Sequence, residues 1–424
     1  MSKLKPYTEQ YNYRLENAKP ERKNNLNKEA FPLHEEKFES GSDKVCYKVL
    51  HDDSDEAYVE TSYFIGYDWL GKSNKVIHVI PKLDSETRQV DYFQMVLHAL
   101  SGRLSPRESE GLFRIDFDKP KITIQQQDDY LAPLLYAQFL QIIRELVHAG
   151  LRKDYYTRQE NLTARVRGKV LVNATIKANV TRGRLDRTFC AYQEYGLDHF
   201  ENRLLKKALQ FVGVAINSQD AFKGLRQNYN YCMPAFVQVG AELDTRKVLA
   251  HKPNPFYKKY GQALKLAQLI LKRSGFELES AASNTVRTPP FWVNMSKVFE
   301  LYVYQHLKQV PDLQVWYEPI ISGLRPDFIV KSKEFMGVID AKYKPRYKNR
   351  SLEPSDILQV AGYARMKGVY KYFVDPVPES PELLDAMIVY SDQEETQNFK
   401  WESKDLDNRY VQFSKLGFKI PERE

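Results

Sequence analysis

Residues 325–350 hold two acids and a lysine at a spacing that suits hydrolysis of a phosphodiester. The run Arg-Pro-Asp-Phe-Ile-Val carries Asp327. Twelve residues separate it from Asp340, in the run Gly-Val-Ile-Asp-Ala-Lys-Tyr-Lys, and Lys342 stands two positions later. Side chains two apart on a strand share a face, so Asp340 and Lys342 are expected to project together. Carboxylates are hard oxygen ligands suited to Mg²⁺, which takes one or two of them alongside water and phosphate oxygens. An ammonium group beside them can orient an attacking water or steady negative charge on phosphate. An ordinary hairpin with surface charges is the plainer alternative. It fits poorly with an acid and a lysine set in an otherwise apolar run.

The elements that must position these groups are short. A strand over Phe328 to Val330, a polar turn at Ser332 to Glu334 and a returning strand would bring Asp327 beside Asp340. The segment from Arg325 to Arg350 has eight Lys/Arg against three Asp/Glu. That excess suits a phosphate backbone, with Lys344, Arg346 and Lys348 as candidate DNA grips. Upstream, Phe291 to Val310 reads as an amphipathic helix. It carries Glu300 in a core-like run, where an acid needs a cation or a basic side chain as partner. Downstream, a helix from about Ser355 to Gly368 puts Asp356, Gln359 and Tyr363 on one stripe. Gln359 could orient the attacking water and Tyr363 could touch DNA. A solvated helix glutamine is the alternative.

A Pro-Asp followed at a distance by Asp-x-Lys resembles the signature of the PD-(D/E)xK nuclease superfamily. With Met-Ser-Lys-Val-Phe-Glu before it and Asp-x-x-Gln-x-x-x-Tyr after it, the block is similar to the nuclease domain of the McrC family. Patches at 66–70, 79–82, 167–172, 189–195 and 202–206 agree, so the likeness extends in pieces over roughly 60–400. The resemblance implies a Mg²⁺-dependent DNA endonuclease subunit, with Mn²⁺ as a substitute ion. Asp327, Asp340 and the backbone carbonyl of Ala341 would be metal ligands, and Glu300 an outer or second-metal ligand. Lys342 and Gln359 would assist catalysis. It also implies double-stranded DNA as substrate, a hexameric McrB-like AAA+ GTPase as partner, and a role in restriction of invading DNA. Two other readings stand beside it: a self-sufficient nuclease of the same fold, and a non-catalytic adaptor that activates an NTPase.

Gly66-Tyr-Asp-Trp-Leu-Gly71-Lys72-Ser73 matches the phosphate-loop pattern GxxxxGK[ST] letter for letter. Such a loop needs a helix to begin at the Lys-Ser, aiming its amides at phosphate. The β-branched run Asn-Lys-Val-Ile-His-Val-Ile-Pro comes next instead, and it predicts a strand. A hairpin turn is therefore expected, and no nucleotide site.

At 424 residues the chain can support two or three cores. Its net charge of +8 is mild for a nucleic-acid binder. Cys46, Cys190 and Cys232 are too scattered for a zinc or disulfide framework. No signal core or membrane-length apolar run is evident, and a cytoplasmic setting is expected.

The expected architecture is α+β and α/β, multidomain. Residues 1–55 read as an extended or partly disordered lead-in. Residues 56–250 read as a mixed β/helical partner-binding domain, and 251–424 as a restriction-endonuclease-like domain with a central mixed sheet flanked by helices. Lys252 to Tyr257 is the candidate linker. Strands are expected at Tyr63–Leu83 and Phe113–Ile124. Helices are expected at Asp91–Leu100, Asp128–Ala149, Phe200–Ala215 and Tyr260–Arg273, the last stopped by Gly275. Arg165–Cys190 reads as strands with exposed basic loops, among them Arg182, Arg184 and Arg187.

Overall fold

In the computed structural model, the described residues are 5–8, 26–27, 29–39, 41, 43–52, 56–82, 90–101, 111–116, 118–125, 131–218, 220–243, 257–279, 285–344, 352–393, 405–406 and 409–422. They form a mixed α/β structure with several sheets. The chain divides into two compact units: Met1–Leu131 with Asn284–Glu424, and Ala132–Ser283. This differs from the boundary expected near residue 250, and the reason is strand pairing. Phe291–Asn294 lies between Phe64–Trp69 and Phe113–Ile115 in a five-stranded sheet. Thr285–Thr288 pairs with Ile122–Gln125. The return of the chain thus completes sheets begun before residue 131.

The lead-in expectation also needs correction where residues are described. Tyr7–Thr8 pairs in parallel with Val79 and Ile80. His34–Lys37 and Val45–His51 belong to a four-stranded sheet with Glu56–Thr61 and Leu26–Asn27. Tyr7, Phe31, Phe38, Cys46 and Tyr47 are buried in one core cluster with Trp292. Sparse apolar residues were enough here, because large aromatic side chains each bury much surface.

Phe64–Trp69 and Val76–Ile80 form the expected hairpin. Its turn closes with the Leu70 amide donating to the Lys75 carbonyl (2.9 Å), and Gly71 is left-handed at φ +57°. Lys72 and Ser73 therefore sit in a turn between strands, and no helix starts there to face a phosphate. Gly66 has φ +151°, and a Cβ on it would come 2.0 Å from the Phe291 carbonyl oxygen. Its glycine is required by the close passage of the Phe291–Asn294 strand.

The region expected as one helix from Phe291 is a strand followed by a helix, Met295–Leu307. Asn294 makes the break: its side chain accepts from the Lys297 amide (3.1 Å), capping the helix. Nor is that helix amphipathic. Ten of its residues are buried, Lys297 and Gln305 among them. A helix buried nearly all round must be covered on several sides. The helix Tyr92–Ser101 supplies one cover, with the Gln305 side chain donating to the Ala99 carbonyl.

A six-stranded mixed sheet carries the 325–350 block. Its order is Gln314–Tyr317, Phe328–Lys331, Met336–Lys342, Asp385–Ser391, Phe413–Phe418, Asp405–Leu406. Met336–Lys342 is central, antiparallel to Phe328–Lys331 and parallel to Asp385–Ser391. Helix Pro354–Ala364 covers one face, where Ile329, Val338, Ile357, Val360 and Ile388 share a core. That helix ends at Ala364, short of the expected Gly368. A separate turn of helix, Lys367–Tyr370, comes after it.

The second unit, described by itself, holds helices Leu131–Ala149, Phe200–Ser218 and Lys258–Glu279. The last runs through Gly275, since glycine weakens a helix by about 1 kcal/mol without stopping it. Asp154–Thr163 and Arg187–Gly196 pair over ten residues. Between them lies helix Val172–Ala178, where strands were expected. Tertiary contacts override its β-branched residues. Asn179 just after it exchanges two carboxamide hydrogen bonds with Asn161 (2.9 and 2.8 Å). Arg182 and Arg184 are exposed in the turn beyond, and Arg187 is half-buried. The expected linker lies, but for Tyr257, outside the described residues. Among the described residues no helix is long and apolar enough to cross a membrane.

Candidate active site

The hairpin Phe328–Lys331/Met336–Lys342 pairs Phe328 with Ile339, which sets Asp327 opposite Asp340. The Ala341 amide donates to Asp327 Oδ2 at 2.8 Å. Along the strand, Lys342 Nζ lies 2.8 Å from Asp340 Oδ2, as the period of two requires. Register alone thus brings both acids and the lysine together at one end of the sheet. Residues directly opposite in an antiparallel pair share a face, and here that face turns toward helix Pro354–Ala364.

That helix supplies the next contacts. Lys342 Nζ donates to Gln359 Oε1 (3.1 Å), and Gln359 Nε2 donates to the Tyr363 hydroxyl (3.1 Å). Gln359 is exposed and Tyr363 half-buried. The expected stripe of Asp356, Gln359 and Tyr363 holds. Asp356 turns inward to Lys344, whose Nζ is 2.7 Å from both Asp356 and Glu353 carboxylates. Lys344, expected to grip DNA, is therefore engaged by two acids of its own chain. Arg346 and Lys348 lie outside the described residues.

Asp340 is 1 % exposed and Asp327 half-buried. Burial, then the charges of Asp340 and Glu300, raises the Asp327 carboxyl well above the usual carboxylate range, against the pull of Lys342 and the Ala341 amide. Burial likewise raises Asp340, opposed by Lys342. Burial works against the Lys342 ammonium, but Asp340 and Asp327 raise its proton affinity and keep it charged. Two desolvated carboxylates with one ammonium between them make an electron-rich pocket that a cation would relieve.

Glu300 sits on the helix Met295–Leu307 and faces a basic side chain, one of the two partners expected for it. Lys297 Nζ lies 3.1 Å from Glu300 Oε1 and 2.9 Å from Glu318 Oε1. Burial raises the Glu300 carboxyl, Lys297 opposes it and Glu318 reinforces it. The Glu318 amide donates to the Asp327 carbonyl (2.8 Å), so this second group adjoins the first. Sequence reasoning missed Lys297 and Glu318. Lys297 and Glu300 stand at i, i+3 on a helix, a spacing that could have flagged the pair. Glu318, just past the end of a strand and left-handed at φ +42°, gave no such signal. Among the described residues, no three His, Cys, Asp or Glu side chains converge as a ready-made ion cage. The oxygen ligands that adjoin are two carboxylates, one of them held by the Ala341 amide, a sparse set of the kind Mg²⁺ accepts when substrate and water complete its shell.

A family model described as McrBC 5-methylcytosine restriction system component matches residues 60–372. No curated protein matches the chain. Solved structures align with it, two of which follow. A refined half-complex from a tetradecameric assembly of Thermococcus gammatolerans McrB AAA+ hexamers with bound McrC has a TM-score of 0.35 and 16 % identity, over 88 % of this chain and 80 % of that one. The cryo-EM structure of the Thermococcus gammatolerans McrBC complex has a TM-score of 0.28 and 15 % identity, over 65 % and 75 %.

Proposed function

The chain belongs to the McrBC family of restriction system components, and from that premise we propose that it is the subunit that cuts DNA, a metal-dependent endodeoxyribonuclease of PD-(D/E)xK type. The observation that carries this reading is the convergence of Asp327, Asp340 and Lys342 at one sheet end. Asp327, Asp340 and the Ala341 carbonyl would hold the ion. Mg²⁺ or Mn²⁺, when bound, supplies Lewis-acid polarisation of a phosphate oxygen and activation of water. Lys342 keeps its charge beside that position, so it can stabilise the extra negative charge of a pentavalent phosphorane. Gln359, hydrogen-bonded to Lys342, orients the ammonium and can accept from the attacking water. Buried Asp340 restrains Lys342 from the other side.

Double-stranded DNA is the proposed substrate, and an McrB-like AAA+ GTPase hexamer the proposed partner. Family membership supports the pairing, since the system has more than one component. The test is plasmid cleavage by the purified full chain with Mg²⁺, with and without an McrB-like AAA+ GTPase. Asp340→Ala is expected to lower cutting by at least about 10²-fold while circular dichroism stays unchanged. Wild-type cleavage in Mg²⁺ alone would favour a self-sufficient nuclease. Undiminished cutting by Asp340→Ala would remove the site from the reaction.

A further inference from the structure

Lys297 lies between two carboxylates of the group that adjoins the Asp327–Asp340 pair. It lies in the first turn of a helix with ten of its thirteen residues buried, and its side chain is 10 % exposed. An ammonium is buried at that depth only against compensating charge. Glu300 and Glu318 provide it, with Nζ between their carboxylates at 3.1 and 2.9 Å and 4.8 Å from the centre of the Tyr317 ring. Two carboxylates that converge on one cation also make the kind of acid pair a divalent ion binds, at the shorter metal–oxygen distance of about 2.0–2.1 Å for Mg²⁺. Here the cation is covalently attached to the chain. Two features hold it there. The Asn294 cap fixes the backbone of Lys297. The Glu318 amide donates to the Asp327 carbonyl, so the backbone that carries Glu318 is fixed beside that of Asp327.

The adjoining groups hold four carboxyl side chains, Glu300, Glu318, Asp327 and Asp340, and two lysines, Lys297 and Lys342. Each lysine is paired with acids of its own group, and Lys344 is bound by Glu353 and Asp356. We propose that Lys297 is a built-in cation that limits this nuclease site to one divalent metal per chain, held by Asp327 and Asp340, and that it keeps Glu300 and Glu318 out of metal ligation. Lys297 is a positioning residue in this scheme. It touches neither substrate nor metal, and acts by holding two acids beside the ion. The inference rests on the nuclease reading of Asp327 and Asp340.

The test counts Mn²⁺ bound to the full-length protein, by calorimetry and by the electron paramagnetic resonance signal of free Mn²⁺. Wild type is expected to bind one ion. Lys297→Gln uncovers the Glu300–Glu318 pair and is expected to bind two. Lys297→Arg restores the charge and should return the count to one. Should Lys297→Gln fail to fold, Glu318→Gln reads the same question in reverse: the single ion is expected to stay, with its affinity changed by less than about threefold. Two ions on wild type, one ion on a folded Lys297→Gln, or loss of the ion in Glu318→Gln would each overturn the proposal. Asp340→Asn separates it from its premise. That variant should bind no ion at the first site, and an unchanged count there would instead defeat the nuclease reading.

Discussion

At the residue scale, the proposed function rests on how few groups must meet. Asp327, Asp340 and Lys342 are brought together by one hairpin register and one strand period. Gln359 is the least protected member. It is exposed, yet both ends of its carboxamide are engaged, by Lys342 and by Tyr363. Leu substitution keeps the helix and removes both contacts. Gln359→Leu is therefore expected to reduce cleavage about 10- to 100-fold with little change in melting temperature, a hydrogen bond to a charged group being worth ~1.5–3 kcal/mol. A variant that cuts at the wild-type rate would make Gln359 a bystander. The convergence of these three side chains was legible in the sequence, because strand periodicity is local. The true partner of Glu300 was not, because a helix pattern shows that an acid needs a partner but not which cation reaches it.

Among elements, the decisive event is the entry of Phe291–Asn294 into a sheet started by Phe64–Trp69. Read locally, Phe-Trp-Val-Asn joined naturally onto the helix after it. Pairing with two strands more than 170 positions earlier made it β. Gly66 is where that pairing can be tested. An alanine Cβ there would meet backbone 2.0 Å away. Gly66→Ala is expected to lower the apparent Tm by about 6 °C or more, equivalent to ~3 kcal/mol. Gly41 is also left-handed, at φ +80°, but has nothing within 4 Å of a Cβ. Gly41→Ala should lose only the ~1 kcal/mol of backbone strain. Equal effects in a thermal melt would contradict the close-approach explanation. Beside this glycine, Asp68 is buried against Lys119 (3.0 Å to each oxygen) and the Trp292 indole N–H (2.9 Å). The letter match to a phosphate loop thus marks a structural turn next to a buried ion cluster.

For the whole molecule, acid sensitivity arises where histidines are kept neutral. His98 and His306 stack at 4.3 Å between centroids, and His306 also meets the edges of Tyr302 and Phe418. Burial, then the His98 charge, lowers His306 from 6.5 to about 3. The folded state thus takes up fewer protons than the unfolded chain. Stability is then full above pH 6.5 and falls as pH drops from 6.5 toward 3. At ~1.4 kcal/mol per pH unit this amounts to about 2 kcal/mol at pH 5. His306→Phe preserves the ring packing without the proton. It is expected to flatten the fall in Tm between pH 7 and 5, and an unchanged slope would place the acid sensitivity elsewhere. Glu36 acts lower down. Although burial opposes it, His34, Arg114 and Lys119 hold it at about 2, so its contribution is lost only as pH falls from ordinary carboxylate values toward 2.

The order of residues by itself determined the candidate site: an acid pair and a lysine on a hairpin, a glutamine one helix turn from an aspartate, and a turn where the letters match a phosphate loop. These are short-range facts, fixed by periods of 2 and 3.6 that any local window exposes. The folded chain alone decided which distant segments share a sheet, that residues before 55 help build a core, and that Lys297 neutralises Glu300. Those outcomes depend on long-range pairing and desolvation, whose energies arise between segments that no local pattern connects.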